Sequence, residues 1–367
     1  MRTEVFELER EQSTWEHLVK YNLAESGVQP MRVGDLLPDD LREECLGYPQ
    51  TNGSVKLRKR ISNLYPGADV DQVMVTNGTA EANYVSVWNL VEPQDEVVVM
   101  LPNYMQIWGI ARSFGAEVKP WSLQQVDGRW APDLEELEGL ISDRTRLIAL
   151  CNPNNPTGAV LTRDEMGAIC KLASRVGAWI LSDEVYQGAE LSGQTTPSFY
   201  GRYDRLLVNC GLSKAYGLPG LRIGWTVGPP EKIAQLWSYK DYTTIGPGIL
   251  SDRLARAALE PARRQKILER TREIIRSQLP IIQDWAKQHG ELFSMIPPRA
   301  GAIVYLKYDL AVHSSALCQR LRDEKSVLIV PGDHFGMDHF VRIGYGGQPD
   351  TLRKGLSLFS EVLESAT

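Results

Sequence analysis

Hydrophobic residues in the first two thirds of the chain come in short runs that do not alternate with polar positions. Five such runs, rich in Val, Ile and Leu, are separated by helical stretches and lie at residues 73–75, 96–100, 147–150, 178–181 and 206–208. A strand that is apolar on both sides belongs in a sheet that is covered on both faces. The pattern therefore predicts an α/β fold with a mostly parallel sheet between layers of helices.

The pattern changes towards both ends of the chain. Residues 249–280 are predicted to be helical with a break near Pro261, and residues 303–306 and 339–343 are predicted strands. Residues 4–21 place apolar side chains among charges, which is typical of a short amphipathic helix or arm that needs a partner. We predict a large domain at 41–275, and a smaller α+β domain that combines 276–367 with 1–40, including the N-terminal arm.

Composition and charge narrow the class of protein. The 367 residues carry a net charge of −6, and the locally basic stretch at 263–276 is interleaved with glutamates, so no nucleic-acid partner is expected. The five cysteines form no CxxC pair and the histidines have no metal-binding spacing, which predicts neither disulfides nor a metal site. The chain has no apolar run of membrane length and no signal-like N terminus, so we expect a soluble, cytoplasmic protein.

Four polar segments carry the candidate chemistry, and each follows a predicted strand, where open α/β sheets bind ligands. They are residues 75–82, 151–158, 181–188 and 211–225. In the first, Gly78, Thr79 and Ala80 open a helix whose free N–H groups are suited to a phosphate. In the second, Asn155 lies in a rigid turn and can donate to a ligand oxygen. Each of these two segments, taken alone, is also typical of an ordinary structural turn.

The other two segments contain charged residues next to buried strands. Asp183 ends an apolar strand, where an ionised carboxylate is costly unless it meets a cation. Lys214 lies between a buried strand and a glycine-rich turn, and a lysine whose pKa is lowered by burial and cationic neighbours can form an imine and move protons. Arg222 can pair with a phosphate. Taken alone, Asp183 is also typical of an N-cap or a structural ion pair. In the same way, Lys214 is typical of a solvated surface lysine and Arg222 of an ordinary ion pair.

In order and spacing, these segments resemble the class I and II aminotransferases, the fold-type I family of pyridoxal 5'-phosphate (PLP) enzymes. The match runs from NLAESG at residue 22 to VRIGYG at residue 341. The resemblance implies a three-layer large domain, and it implies that Lys214 carries PLP as a Schiff base and then acts as acid and base. Asp183 would hold the proton on the pyridine nitrogen. Asn155 and Tyr186 would bind the phenolic oxygen.

The resemblance also implies how phosphate and substrate are bound. The residues expected around the phosphate are Gly78, Thr79, Ala80, Ser213 and Arg222. Tyr104 would stack on the ring, and Tyr48 matches a tyrosine that reaches the phosphate of a neighbouring subunit, which implies a homodimer with shared active sites. Arg342 matches the arginine that binds the substrate α-carboxylate, although a surface arginine on an edge strand is the alternative without the resemblance. Gly27 lies in the segment that closes over the substrate.

Departures from the family pattern leave the reaction open. Gly211 stands where the family usually has a serine, so one phosphate hydroxyl is missing. The N-terminal segment reads ESGVQP in place of a motif close to GEPD, and this form resembles capreomycidine synthase-like members, which act on an arginine derivative by elimination and cyclisation. We expect transamination between an L-amino acid and a 2-oxo acid. The alternative is elimination, cyclisation or oxidation of an arginine-like amino acid, and a ligand-sensing module is a third.

Two further features bear on substrate and assembly. Glu25 can face a cationic side chain such as a guanidinium, although an N-terminal glutamate is more often solvated. The segment 239–248 is expected at the dimer interface near the partner's site, where Thr243 or Thr244 contacts phosphate or substrate.

Overall fold

The computed structural model describes residues 3–364 and has an eight-stranded sheet at its centre. The strands along the chain are β1 (Tyr21–Asn22), β2 (Val73–Thr76), β3 (Glu96–Leu101), β4 (Glu117–Val126), β5 (Arg129–Pro132), β6 (Thr145–Cys151), β7 (Trp179–Asp183), β8 (Leu206–Gly211), β9 (Gly224–Val227), β10 (Phe293–Met295), β11 (Ile303–Tyr308), β12 (Val327–Leu328), β13 (Val330–Pro331) and β14 (Phe340–Gly344). The helices are α1 (Glu7–Trp15), α2 (Val55–Ser62), α3 (Thr79–Leu90), α4 (Gln106–Ser113), α5 (Leu134–Leu140), α6 (Arg163–Val176), α7 (Pro230–Lys240), α8 (Ile249–Ala258), α9 (Pro261–Gln288), α10 (Ser314–Lys325) and α11 (Pro349–Glu364).

Successive residues of the central strands point into two different hydrophobic cores. In β3, Val98 packs into one core, whereas Val97 and Val99 pack into the other. The first core also contains side chains of α6, α8 and α9, and the second contains side chains of α3, α4 and α7. Each buried valine stabilises the fold by about 1.5–3 kcal/mol. The sheet is therefore covered on both faces, and the predicted α/β fold with a layered large domain is confirmed.

The central sheet is ordered β2-β9-β8-β7-β6-β3-β4-β5. All five predicted strands are present, and β4, β3, β6, β7 and β8 run parallel to one another. Strand β9 is antiparallel to both of its neighbours, and β5 is antiparallel to β4. The apolar runs did not predict β4, β5 and β9, because β4 contains Pro120 and many exposed residues and β9 has only four residues.

A smaller sheet, ordered β10-β11-β14-β13, contains the two strands predicted near the C terminus. Strand β1 pairs with β12, so the chain that follows α1 is attached to this part of the molecule. The predicted break at Pro261 is confirmed, since α8 ends at Ala258 and α9 begins at that proline. The sequence predicted that this helix ends at Pro280. It instead continues to Gln288, because the buried Ile282 and Trp285 hold its last turns against the core.

The predicted domain boundary at residue 275 falls inside α9, a continuous helix of 28 residues. The strands of the large sheet lie between residues 73 and 227, and those of the smaller sheet between 293 and 344. The division into domains therefore stays a prediction. Over residues 3–364, no helix has both the length and the apolar character that crossing a membrane requires.

Candidate active site

A cavity of about 320 Å³ lies where the parallel strands of the large sheet end. Side chains that directly follow β2, β3, β6 and β8, the last residue of β7, and a residue of β14 in the smaller sheet converge on it. The sequence-predicted residues that line it are Thr79, Ala80, Tyr104, Asn155, Asp183, Tyr186, Ser213, Lys214, Arg222 and Arg342. Residues that are far apart in the chain are thus brought to one site.

One end of the cavity is suited to an anion. Helix α3 begins there with Gly78 as its N-cap residue, and no side chain caps its free N–H groups. The Arg222 guanidinium lies against Gly78, and a side chain at position 78 would overlap it. The buried hydroxyl of Thr79 has no hydrogen-bond partner in the described part of the chain. Free helix N–H groups, an unpaired hydroxyl and a guanidinium together form a phosphate site.

Packing explains why the serine that the family usually has is replaced by Gly211. A Cβ atom at this position would overlap the Thr79 hydroxyl and would lie 3.0 Å from the carbonyl oxygen of Ile223. A Cβ atom at position 224 would likewise lie 2.5 Å from the backbone of Gly78. The space that a serine would need is therefore already occupied by a different hydroxyl that borders the anion site.

Lys214 forms an ion pair with Glu25 inside the cavity. The distance from Lys214 Nζ to Glu25 Oε1 is 2.9 Å, and the two side chains, which both line the cavity, are 26% and 46% exposed. The N–H group of Gly27 donates to the same Glu25 oxygen at 2.7 Å, so Gly27 acts on the site through Glu25 and does not line the cavity. The ammonium of Lys214 lowers the pKa of Glu25 to about 2, against the smaller effect of burial.

The ion pair with Glu25 explains why the predicted lowering of the pKa of Lys214 is wrong. Burial lowers the pKa of Lys214, as the sequence predicted, but the charge of Glu25 and the neighbouring Tyr186 outweigh it and leave the pKa raised. A cationic neighbour that lowers the pKa is present, Arg342, but its effect is smaller. Without a ligand, Lys214 is therefore a protonated, ion-paired amine.

Asp183 is buried at the end of β7 and is held in place from two sides. It accepts hydrogen bonds from Asn83 Nδ2 at 3.2 Å and from the N–H of Val185 at 3.1 Å. Asn83 itself accepts a hydrogen bond from Asn209 at 2.8 Å, which fixes its orientation. Burial raises the pKa of Asp183, and hydrogen bonds and Lys214 only partly oppose this. A cation brought into the cavity beside Asp183 would stabilise its ionised form.

Asn83 is a site residue that the sequence reasoning missed. It lies on α3 one turn after Thr79 and one turn before the buried Val87, which packs into a hydrophobic core. A buried amide in such a position usually has a specific partner, and this was the available signal.

Glu184, which follows Asp183 in the chain, provides a test of how strongly burial raises the pKa of a carboxyl group beside the site. Its side chain is fully buried, accepts from Ser182 at 3.1 Å and from the N–H of Phe199 at 2.8 Å, and burial raises its pKa from 4.5 to about 7. The proton is bound more tightly in the folded state, so this contribution to stability is present below pH 4.5 and is lost as the pH rises through 7. The loss should be about 3 kcal/mol.

We therefore expect Glu184→Gln to abolish this part of the pH dependence. Urea unfolding of both proteins at pH 4.5 and pH 8 measures it. Between pH 4.5 and pH 8, the free energy of unfolding of the original protein should fall by about 3 kcal/mol relative to that of the variant. An equal pH dependence in the two proteins would show that folding does not raise the pKa of Glu184.

Arg342 is buried on β14, which lies between β11 and β13, and only 1% of it is exposed. It is therefore not a surface arginine on an edge strand. Its Nη1 donates to Asn155 Oδ1 at 3.0 Å and its Nη2 donates to the carbonyl oxygen of Ala24 at 2.5 Å. Its Nε and the hydroxyl of Tyr186 lack hydrogen-bond partners among residues 3–364. Both groups are thus available to an oxygen-rich ligand in the cavity.

Other predicted contacts are not formed within this chain. Tyr48 is 92% exposed and does not line the cavity. In the segment 239–248, the hydroxyls of Thr243 and Thr244 donate to the Glu81 carboxylate, at 2.5 and 2.6 Å, on the first turn of α3. They are therefore not directed to the anion site of the same chain, and their contact with a partner's site stays a prediction. Among the described residues, one surface group has the composition of a metal site, and none of its members lines the cavity: His313, Asp333 and Asp338.

Helix α1 covers part of the cavity, which the sequence did not predict. Four of its residues and the one that follows it line the wall: Leu8, Glu9, Gln12, Ser13 and Glu16. The hydroxyl of Tyr104 donates to Glu9 Oε1 at 2.7 Å. The amphipathic pattern predicted that this segment needs a partner, but periodicity alone does not identify the partner.

Comparison with known proteins gives the family. Residues 21–359 match the family model of the class I and II aminotransferases. Capreomycidine synthase of Streptomyces vinaceus is 33% identical over 311 residues, which are 85% of this chain and 79% of that protein. A PLP-dependent aminotransferase of Streptococcus suis has a TM-score of 0.93 at 36% identity, covering 100% of this chain and 99% of that one. For the PLP-dependent cyclase OrfR the TM-score is 0.90 at 26% identity, with coverage of 100% and 99%.

The chain therefore belongs to the class I and II aminotransferase family. It is an enzyme of fold type I, and its cofactor is PLP, as the sequence resemblance predicted. The cavity fits this cofactor, since an unpaired Thr79 hydroxyl and Arg222 lie at its anion site and a buried carboxylate, Asp183, lies among its walls.

Proposed function

We propose that this enzyme transfers an amino group between an L-amino acid and a 2-oxo acid, with PLP carried by Lys214. The observation that carries the proposal is the convergence of Lys214, Asp183 and Arg342 on one cavity from β14 and the ends of β7 and β8. An amine, a buried carboxylate and a buried guanidinium are the three charged groups that such a reaction needs. When bound, PLP supplies an electron sink for the negative charge that develops at the substrate Cα.

The residues around the cavity divide into those that hold the cofactor and those that hold the substrate. The phosphate would be bound by the N terminus of α3 and by five residues: Gly78, Thr79, Ala80, Ser213 and Arg222. Asp183 would keep the ring nitrogen protonated, Asn155 and Tyr186 would bind the phenolic oxygen, and Tyr104 would pack on the ring. Arg342 would bind the substrate α-carboxylate, for which its unpaired Nε is free.

Lys214 is proposed to move the proton at the substrate Cα. Its Nζ atom is within 2.9 Å of Glu25, and Glu25 stabilises the protonated form of this amine. The neutral amine accepts the proton, and the Glu25 carboxylate stabilises the ammonium that results. Helix α1, Glu25 and Ser26 line the cavity around this amine and would limit the access of water to the proton, which favours its return to the substrate or cofactor.

A second candidate is the elimination, cyclisation or oxidation of an arginine-like amino acid. It is supported by the presence of Glu25 beside Lys214, where the family motif is replaced by ESGVQP. The similarity to capreomycidine synthase and to the cyclase OrfR supports it as well. The groups that hold the cofactor are common to both reactions, so they do not distinguish them.

Incubation with single L-amino acids, with and without 2-oxoglutarate, distinguishes the two. Transamination predicts formation of glutamate that depends on both substrates. Release of ammonia or consumption of oxygen without glutamate would instead favour the second candidate. Absence of any turnover despite bound PLP would point to a ligand-sensing protein.

We further propose a cytoplasmic homodimer in which Tyr48 reaches the partner's phosphate site. The nearly complete exposure of Tyr48, together with exposed Leu46 and Tyr242, supports an interface at this surface. The segment 239–248 contributes one of these residues. Sedimentation of the purified protein measures the oligomeric state, and a monomer with full activity would contradict the shared site.

A further inference from the structure

We propose that α1 is a charge-selective cover that favours amino acids with a cationic side chain, and that Glu9 is its principal selecting residue. This inference rests on the proposed binding of an L-amino acid by Arg342 and names the substrate class of that site. It applies equally to transamination and to the second candidate, because it concerns binding of the side chain and not the fate of the bonds at Cα.

The argument begins with the charges that line the cavity. Three are positive, those of Lys214, Arg222 and Arg342, and each has a proposed use. Arg222 pairs with the phosphate, Arg342 pairs with the substrate carboxylate, and Lys214 gives up its ammonium charge when it carries the cofactor. The negative charges are those of Asp183, Glu9, Glu16 and Glu25.

Only one of these four carboxylates is balanced by the cofactor. Asp183 would face the protonated ring nitrogen, whereas Glu9, Glu16 and Glu25 are left without a cation on the cavity wall once Lys214 is neutral. Three carboxylates around a partly enclosed space repel one another and attract a cation. The site is therefore complementary to a substrate that brings its own positive charge, such as a guanidinium or an ammonium group.

Glu9 is fixed at the cavity and is not a freely moving surface side chain. Its carboxylate accepts a hydrogen bond from the hydroxyl of Tyr104 at 2.7 Å, and the ring of Tyr104 is packed edge-on by Phe6 with 4.9 Å between centroids. The charge of Glu9 also opposes the lowering of the pKa of Arg342. The carboxylate is thus near the site proposed for the amino acid.

Helix α1 is attached to the rest of the molecule at several points besides Tyr104. Leu8 is buried in the main core, and Gln12 donates to the carbonyl oxygen of Ala24 at 3.2 Å. Arg322 donates to Glu11 at 2.9 Å and lies over the ring of Trp15 at 4.2 Å. These contacts hold the face of α1 that carries Glu9 and Glu16 over the cavity. Since they come from the helix itself, a change of one carboxylate to an amide leaves them in place.

Binding of L-arginine and L-citrulline tests the proposal, because the two ligands have nearly the same shape and differ in the side-chain charge. The PLP-loaded enzyme is mixed with each ligand in the absence of an oxo acid, and the concentration dependence of the change in cofactor absorbance gives an apparent dissociation constant for each ligand. We expect arginine to bind roughly tenfold more tightly than citrulline. The preference should fall several-fold in Glu9→Gln, which keeps an acceptor for Tyr104.

Glu7→Gln is the matched control, since Glu7 lies on the same helix, is exposed and does not line the cavity. The preference should remain unchanged in this variant. Equal binding of the two ligands by the original enzyme, no binding of arginine, or an equal loss in both variants would each overturn the proposal. Glutamate formation from neutral amino acids alongside equal binding would leave the proposed function standing and remove only the charge selection.

Discussion

Asp183→Asn is expected to lower kcat/KM by on the order of 1,000-fold while PLP remains bound. The amide has nearly the same shape but no charge, so it cannot keep a proton on a ring nitrogen, and the electron sink at the substrate Cα is weakened. Steady-state kinetics with a saturating supply of PLP measures the effect, and the visible absorbance of the purified variant reports whether the cofactor is retained.

Glu184→Gln is the matched control for this experiment. It makes the same chemical change at the next residue, which is also buried but does not line the cavity. Activity close to that of the original enzyme is expected there. If the two variants lost similar activity, the effect at position 183 would have to be assigned to general disturbance of β7 and not to a ring contact.

Arg342→Lys is expected to lower kcat/KM for amino acids by about 100-fold, although the positive charge is kept. A lysine cannot reproduce the two-pronged contact of a guanidinium with a carboxylate, and it would also lose the bonds to Asn155 and to the Ala24 carbonyl oxygen. The loss of charge-assisted hydrogen bonds corresponds to about 3 kcal/mol, which gives this magnitude.

The corresponding amine without a carboxylate is the control ligand. Its binding to the PLP-loaded enzyme should be nearly the same in the original protein and in Arg342→Lys, so that only the discrimination between amino acid and amine collapses. A variant that weakened both ligands equally would contradict a specific role of Arg342 in carboxylate binding.

Much of the fold was predictable because the central strands bury both faces. The run Val97 to Val99 places neighbouring residues in two separate cores, and this requirement is visible in the sequence as an unbroken apolar stretch. Strands with mixed exposure, such as β4, have no such signature. The helix α9 passes Pro280 because apolar contacts on both sides of the proline hold it, and such tertiary contacts cannot be deduced from a local rule.

The candidate site was predictable where a residue type has a chemical reason to follow a strand. Asp183 and Lys214 are of this kind, since a charge next to a buried strand needs a partner. Their actual partners, Asn83 and Glu25, lie 100 and 189 residues away in the chain and depend on tertiary packing. The raised pKa of Lys214 follows from one of these distant contacts, and for this reason the sequence predicted the opposite direction.

The measurement that tests the central claim most directly is the identification of the residue that carries PLP. The purified enzyme is scanned for visible absorbance, reduced with borohydride and digested, and the peptides are analysed by mass spectrometry. We predict a PLP band that is lost in Lys214→Ala, and a reduced cofactor on the peptide that contains Lys214. Absence of the band, or a cofactor attached to another lysine, would contradict the account.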